Sequence, residues 1–407
     1  MAQISSFASV CAELDRRRRV TMGLERVERL LFFLGNPQEK LRVVQVVGTN
    51  GKGTTAVALA AALSEAGQLA GVYLSPHVLS YTERVMLGGQ FVSERRFARA
   101  MWETIEAADQ NGVPASQFEL LTAGAVKLFA DEGLSWAVLE AGLGARHDAT
   151  TAARSEAVVL TNVGLDHAEY LGETVAEISH EKLASVSPNS VLILGTDDPV
   201  VREIAARRCA EVGARLVEAA PENVEHPTLE LPPFVLRDVA LGVRAAEELL
   251  GEKLDVEARG REIRAVVGAL PGRFEVHEVD GVPVVVDGGH NASGVEAALE
   301  AMESAYGGRP LAVVFGVLRD KDARSMLTAL NEAVRTVVLT RPEGERAAGP
   351  AGILQGHQDM EGSETLTEED PVKAVEVALR SVGGDGGAVL VLGSFQTAAP
   401  VLRWLRD

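Results

Sequence analysis

The sequence predicts an α/β protein of two domains: an N-terminal P-loop-type nucleotide-binding domain with a mostly parallel sheet, and a smaller C-terminal Rossmann-like α/β domain. Three observations carry this. The stretch Val43 to Thr55, VVQVVGTNGKGTT, reads as buried strand, phosphate loop and helix start. Short β-branched runs then alternate with helical periodicity along most of the chain. Finally, 407 residues exceed the usual size of one core, and Pro271 and Gly272 interrupt the alternation, dividing the chain into 1–270 and 271–407.

Taken in order, Met1 to Lys40 read as helices with an intervening turn, stopped by Gly35, Asn36 and Pro37. The strand Val43–Val47 breaks into Gly48, Thr49, Asn50, Gly51, Lys52 and Gly53, and an alanine-rich helix is expected from about Thr54 to Ala66. Glycines let backbone N–H groups turn around an anion, the helix N-terminus adds a favourable dipole, and Lys52 adds a positive charge. The common pattern GxxxxGK[ST] would have glycine at position 46 and a hydroxyl at 53, where Val46 and Gly53 stand; the hydroxyl arrives one residue late, at Thr54. A glycine-rich turn with a solvated lysine is the plain alternative.

A strand Ala70–Leu74 ends in SPH, Ser75 to His77, and a glycine-broken loop or hairpin precedes the helix Glu94–Asn111. A helix Ser116–Glu132 leads to the strand Trp136–Leu139, which delivers Glu140 to its C-terminal end, where open α/β sheets bind ligands and a carboxylate can reach nucleotide-bound Mg²⁺. A strand Ala157–Thr161 is followed by Asp166 and His167 and by a helix carrying His180, Glu181 and Lys182. A strand Val191–Gly195 with the turn TDDP, an irregular region Glu218–Pro233 and a helix Val235–Leu250 complete the first part. The second part reads as strand Val282–Val286 ending in DGGHN, helix Ser293–Tyr306, strand Leu311–Gly316, helix Asp322–Val334 and strand Thr336–Thr340. A loop 341–370, helix Pro371–Val382, strand Ala388–Gly393 and a terminal helix follow.

The charge balance, 39 basic against 58 acidic residues, gives a net −19 and disfavours nonspecific binding to nucleic acid or an anionic membrane. Any anionic substrate must meet a local cluster of lysine, arginine or metal. Cys11 and Cys209 are too few for a disulfide framework and too far apart for a paired metal site, so a reducing, cytoplasmic compartment is expected. The N-terminus carries no signal pattern, and Thr54 to Leu74 reads as core helix plus strand, not as a membrane span.

Together GTNGKGT at Gly48, SPH at Ser75, TER at Thr82, EAGLGAR at Glu140, LDH at Leu165, EK at Glu181, LPGR at Leu270, DGGHN at Asp287 and FGVLRDKD at Phe315 resemble the folylpolyglutamate synthase and dihydrofolate synthase family of the Mur ligase superfamily. The resemblance runs from about Leu24 to Gly393. It implies the same fold, with an N-terminal ATP-binding domain, and an ATP-dependent ligase. A folate or dihydropteroate carboxylate takes the γ-phosphoryl group, and the acyl phosphate is attacked by the amine of L-glutamate. It further implies that Asn50, Gly51, Lys52, Gly53 and Thr54 hold the phosphates, and that Thr54 and Glu140 hold one Mg²⁺ while Ser75 and His167 serve a second site. Lys182 matches a lysine carried as a carbamate in the superfamily, Arg273 approaches the γ-phosphate, and Asp287 and His290 lie near ribose and base. A monomer is implied as well.

Departures from the family pattern are Ala145, Thr151, Gly289 and Ala292, and Asp238 stands where relatives carry an asparagine that contacts adenine. Two other readings are a Mur-type ligase acting on a cell-wall precursor and a nucleotide-binding module without ligase activity. SPH, TER and DGGHN favour the folate branch; Lys52, Glu140, His167 and Lys182 favour an enzyme.

Overall fold

The computed structural model describes residues 6–20, 22–219, 231–330, 334–355 and 363–407. The chain forms two compact units, Met1–Glu230 with Val235–Val267, and Leu231–Phe234 with Gly268–Asp407.

The first unit is built on an eight-stranded sheet in the order β4-β3-β2-β5-β1-β6-β7-β8. Its strands are β1 Arg42–Val47, β2 Ala70–Tyr73, β3 Val85–Leu87, β4 Gln90–Phe91, β5 Trp136–Glu140, β6 Ala157–Leu160, β7 Val191–Leu194 and β8 Arg215–Glu218. β1 lies parallel between β5 and β6, and Val43, Val44, Val46 and Val47 are at most 2% exposed, as in a strand covered on both faces; Gln45 between them is buried too and donates to Thr150 and Thr151. The chain leaves β1 toward one side of the sheet, for β2, and later lays β6 on the other. That reversal opens a crevice beyond the carboxyl ends of these strands. The helices Phe7–Arg16 and Glu25–Phe33 bury Val10, Leu14, Val27 and Leu30 in a core shared with Phe97, Met101, Leu121 and Phe129.

The second unit carries a six-stranded sheet, β13-β12-β11-β14-β10-β9, parallel except for the β9–β10 hairpin. Its strands are β9 Glu275–Val279, β10 Val282–Val286, β11 Leu311–Phe315, β12 Thr336–Leu339, β13 Glu364–Thr367 and β14 Ala388–Leu392. Val285, Val313, Phe315 and Leu390 form its core with Met302, Met326 and Leu327.

Several elements differ from the sequence reading. The helix expected at Thr54 begins at Lys52, because Gly51 in a left-handed conformation turns the chain directly into it. The TDDP turn starts an unanticipated helix, Pro199–Val212: Asp198 caps it by accepting from the amides of Val200 and Val201, with Pro199 at the first helical position. β8 follows, and 220–230 lie outside the described residues. β9 has only a weak sequence signal, because its alternating exposure belongs to an antiparallel edge strand; Asp280 and Gly281, both at positive φ, make its turn. The loop 341–370 contains the helix Pro350–Gln355 and β13, with 356–362 outside the described residues. The helix Asp322–Val334 is observed as Ala323–Leu330, and 331–333 are likewise undescribed. No helix among the described residues is long and apolar enough to cross a membrane.

Candidate active site

The phosphate loop leaves the end of β1 and is braced by the segment that leaves β6. Thr161 Oγ1 donates to the Asn50 carbonyl at 2.7 Å, Asn162 Nδ2 donates to the same oxygen at 3.1 Å, and the Asn50 amide donates to Asn162 Oδ1 at 3.0 Å. Thr49 Oγ1 accepts from the Gly164 amide at 2.9 Å. Gly48 permits this approach, since a Cβ there would stand 1.8 Å from Thr161 Oγ1. Asp238 packs beneath Gly51, and its carbonyl accepts from Thr55 Oγ1 at 3.2 Å. With the helix starting at Lys52, the amides of Lys52, Gly53 and Thr54 belong to the first turn, which has no intrahelical acceptors for them. An anion is the natural ligand of such a turn. Lys52 Nζ is held by the Thr49 carbonyl at 3.0 Å.

Glu140, the last residue of β5, pairs in register with Val46 of β1 and is 3% exposed. Its Oε2 accepts from the Ser75 amide at 2.8 Å, and it packs on Gly53, where a Cβ would lie 3.3 Å from the same oxygen. The Ser75 hydroxyl is buried and has no hydrogen-bond partner among the described residues. A carboxylate, an orphaned hydroxyl and Thr54 in the adjoining turn form an all-oxygen donor set that fits a hard divalent cation.

Lys182, the last residue of the helix Val175–Lys182, is 4% exposed, and its Nζ donates to the Gly48 carbonyl at 2.6 Å. Burial, reinforced by the Lys52 charge and opposed by Asp166 and Asp148, lowers its pKa to about 7. A neutral amine is therefore accessible there near physiological pH. His167 sits on the turn after β6 at φ +53°, its side chain 35% exposed, with its amide donating to Asp166 Oδ1 at 2.8 Å.

The loop after β5 is shaped by a residue the sequence reading passed over. Asp148 Oδ2 accepts from the amides of Gly142 and Leu143 at 2.8 and 3.0 Å, while Oδ1 accepts from the Thr150 amide at 3.0 Å. Burial raises its pKa against these bonds. Thr151, a departure from the family pattern, donates to the Ala145 carbonyl and accepts from Gln45 on β1. This loop walls a largely apolar cavity of about 210 Å³ with Phe118, Leu143, Ala149, Tyr170 and Leu171, and with Arg19 and His147 among its polar residues. Asp148→Ala would strand several buried donors. It is expected to lower stability by about 1–3 kcal/mol, read as a lower urea midpoint with an unchanged slope.

In the second unit, Asp287 follows β10 and is 6% exposed. Its Oδ2 accepts from the Phe274 amide at 2.8 Å and its Oδ1 from the Gly289 amide at 2.7 Å, so it ties the PGRF turn to DGGHN. The turn holds the Arg273 guanidinium 4.3 Å from the centre of the Phe395 ring. His290 Nδ1 lies 3.0 Å from the Gly288 carbonyl.

Thus Asn50, Gly51, Lys52, Gly53, Thr54, Ser75, Glu140 and Lys182 gather around the carboxyl end of β1, with His167 on the neighbouring turn after β6. Arg273, Asp287 and His290 gather within the second unit. Asn162, Asp148 and Glu83, absent from the sequence-based site, shape its loops. For Asp148 and Glu83 the signal is a carboxylate close in sequence to the amides it accepts; Asn162 bonds to the distant Asn50 and carries no such signal.

The chain matches the Mur ligase middle domain over residues 46–224 and the Mur ligase glutamate ligase domain over 272–395. It is 31% identical over 399 residues to the dihydrofolate synthase/folylpolyglutamate synthase of Escherichia coli, covering 95% of this chain and 92% of that one. Among solved structures it resembles Mycobacterium tuberculosis folylpolyglutamate synthase complexed with ADP and AMPPCP, with 26% identity, a TM-score of 0.88 and 98% of each chain covered. It also resembles the bifunctional folylpolyglutamate synthase/dihydrofolate synthase of Yersinia pestis with Mn, AMPPNP and L-glutamate bound. There the identity is 28% and the TM-score 0.84, covering 99% of this chain and 98% of that one.

Proposed function

The chain belongs to the dihydrofolate synthase/folylpolyglutamate synthase family of ATP-dependent glutamate ligases, and from that premise we propose how its own residues perform the reaction. The γ-phosphoryl group of ATP passes to a carboxylate of a pterin-bearing acceptor, giving an acyl phosphate and ADP. The amine of L-glutamate then attacks the acyl carbon, loses a proton and expels inorganic phosphate. Backbone amides from Gly51 to Thr54 cradle the phosphates, Asn50 holds the turn in place through its bonds to Asn162, and Lys52 answers the charge that builds on the transferred group. Arg273 supplies a second cation toward the γ-phosphate. Asp287, whose oxygens both accept backbone amides, acts by holding the Arg273 turn; His290 serves the nucleoside end.

Thr54 and Glu140 would hold one Mg²⁺ and Ser75 and His167 a second. When bound, the ions supply neutralisation of phosphate charge and polarise the transferred phosphoryl group. Lys182 is the residue for carbamylation: its neutral amine adds CO₂ and releases a proton, leaving an anion that Lys52 and bound metal offset. The observation that carries the reading is the buried Lys182 amine, 2.6 Å from a phosphate-loop carbonyl and with its pKa drawn down to about 7.

The cavity beside Phe118 and Tyr170 is assigned to the pterin end of the acceptor, because its largely apolar lining suits a heterocycle and its Arg19 and His147 offer polar contacts. The reading extends to a monomer, by resemblance, and to a reducing cytoplasmic compartment, from a chain whose cysteines, Cys11 and Cys209, are too few for a disulfide framework.

The test is incorporation of labelled glutamate with ATP and Mg²⁺, measured side by side on dihydropteroate, on tetrahydrofolate and on UDP-linked muramyl substrates. Turnover on dihydropteroate, on tetrahydrofolate or on both, and none on the muramyl substrates, is expected. Turnover on a muramyl substrate alone, or ATP binding without glutamate-dependent ADP release on any acceptor, would overturn the assignment.

A further inference from the structure

The TER stretch has no role in the chemistry above, yet its Glu83 and Arg84 are buried and bonded to the loop that precedes them. Glu83 is 7% exposed, and its carboxylate accepts three consecutive backbone amides, Val78 at 2.6 Å, Leu79 at 2.8 Å and Ser80 at 2.7 Å. Three charge-assisted bonds to successive N–H groups force 78–80 to wrap around one side chain. Ser80 returns the arrangement as a capping box on the short turn Tyr81–Arg84.

Arg84, also 7% exposed, completes the closure. Its Nε donates to His77 Nδ1 at 2.8 Å, its carbonyl accepts from the Leu74 amide at 2.9 Å, and the His77 ring lies tilted against Tyr81 with centroids 4.2 Å apart. Both sides of Ser75 are thereby fixed: Leu74 through Arg84, and the turn that follows through Glu83 and the His77–Arg84 bond. Ser75 itself presents its amide to Glu140 and a buried hydroxyl with no partner among the described residues.

We propose that Glu83 is a positioning residue for the second metal site, acting through the 75–84 loop to fix the Ser75 hydroxyl. This rests on the assignment of Ser75 as a metal ligand. Both carboxylate oxygens are taken up by backbone amides, so Glu83 acts by fixing the loop on which one ligand depends, and such supporting contacts govern metal affinity by roughly 10–100-fold. Glutamine at this position keeps the shape but offers one carbonyl oxygen and turns an NH₂ group toward a row of N–H donors.

The experiment measures Mn²⁺ affinity by electron paramagnetic resonance in the full chain, saturated with a non-hydrolysable ATP analogue, for wild type, Glu83→Gln, Ser75→Ala and the double variant. Glu83→Gln is expected to weaken the Ser75-dependent Mn²⁺ by about 10–100-fold and to raise the apparent Mg²⁺ requirement in turnover. Adding it to Ser75→Ala should weaken Mn²⁺ little further. Glu83→Asp, which keeps the charge with a shorter reach, is expected to fall between, and serves in place of Glu83→Gln should that variant not fold.

A lowered melting temperature with unchanged Mn²⁺ affinity would make Glu83 purely structural and overturn the proposal. So would independent, multiplying effects of the two substitutions, since Glu83 would then act by a route other than Ser75. Wild-type Mn²⁺ affinity in Ser75→Ala alone would instead remove the ligand assignment on which the proposal rests.

Discussion

Lys182→Ala is expected to lose at least about 100-fold in kcat, and short carboxylic acids such as acetate or formate should restore part of it. The Nζ–Gly48 bond places the amine directly against the phosphate loop, and alanine leaves a space in which a small anion can stand in for the carbamate. Full activity without the amine would remove Lys182 from the reaction.

The same residue gives a stability prediction of the opposite sign. Its pKa falls from 10.5 toward about 7 on folding, so between these values the unfolded chain binds more protons than the folded one, and stability rises with pH across that window. Below about pH 7 the amine is protonated in both states and its burial is fully unfavourable; above about 10.5 it is neutral in both and the penalty is gone. Lys182→Met, which keeps the stem and discards the charge, should therefore be more stable than wild type at pH 6 by about 1 kcal/mol or more. The lost bond to Gly48 limits the gain. The difference should shrink as pH rises from 7 to 10. Melting temperatures across that range check it; a gap that widened with pH would refute the assignment. Stability kept in reserve at an active site is a common exchange for function.

Glu140→Ala is expected to reduce kcat/KM by about 100- to 1000-fold and to raise the Mg²⁺ needed for half-maximal rate. The substitution removes a buried carboxylate from the carboxyl end of β5 and also leaves the Ser75 amide without its 2.8 Å acceptor, so two proposed ligand positions are disturbed at once. Glu140→Gln keeps an acceptor for that amide while discarding the charge. If the charge matters through metal, the glutamine variant should remain well folded by circular dichroism yet share most of the kinetic loss; near-wild-type kinetics would reduce Glu140 to a loop brace.

Much of this molecule could be read along the chain. The stretch Val43–Val47 carries valines on both faces, interrupted only by the buried Gln45, because a central parallel strand is covered on both, and GTNGKGT is confined to a few residues because an anion-binding turn needs contiguous amides. Glu140 was legible for a similar reason: a carboxylate directly after an apolar strand emerges where such sheets bind ligands. The helix Pro199–Val212 and β9 were less so. The first hides its start in a cap that resembles a turn, and the second is a half-exposed edge whose alternation is short.

What tertiary structure alone decided is which residues meet. Composition and spacing assign lysine 182 a charge, but only its burial against Gly48 and Lys52 makes a neutral amine accessible. Glu83 and Asp148 collect amides close to them in the chain, but only the folded turns aim those N–H groups at one carboxylate; Asp287 reaches the Phe274 amide, and Asn162 the phosphate loop at Asn50, only because folding brings separate segments together. Sequence fixes short-range propensity and the chemistry each side chain carries. Burial and the partners that set pKa, charge and ligand geometry depend on contacts between residues far apart in the chain, and these exist only once it has folded.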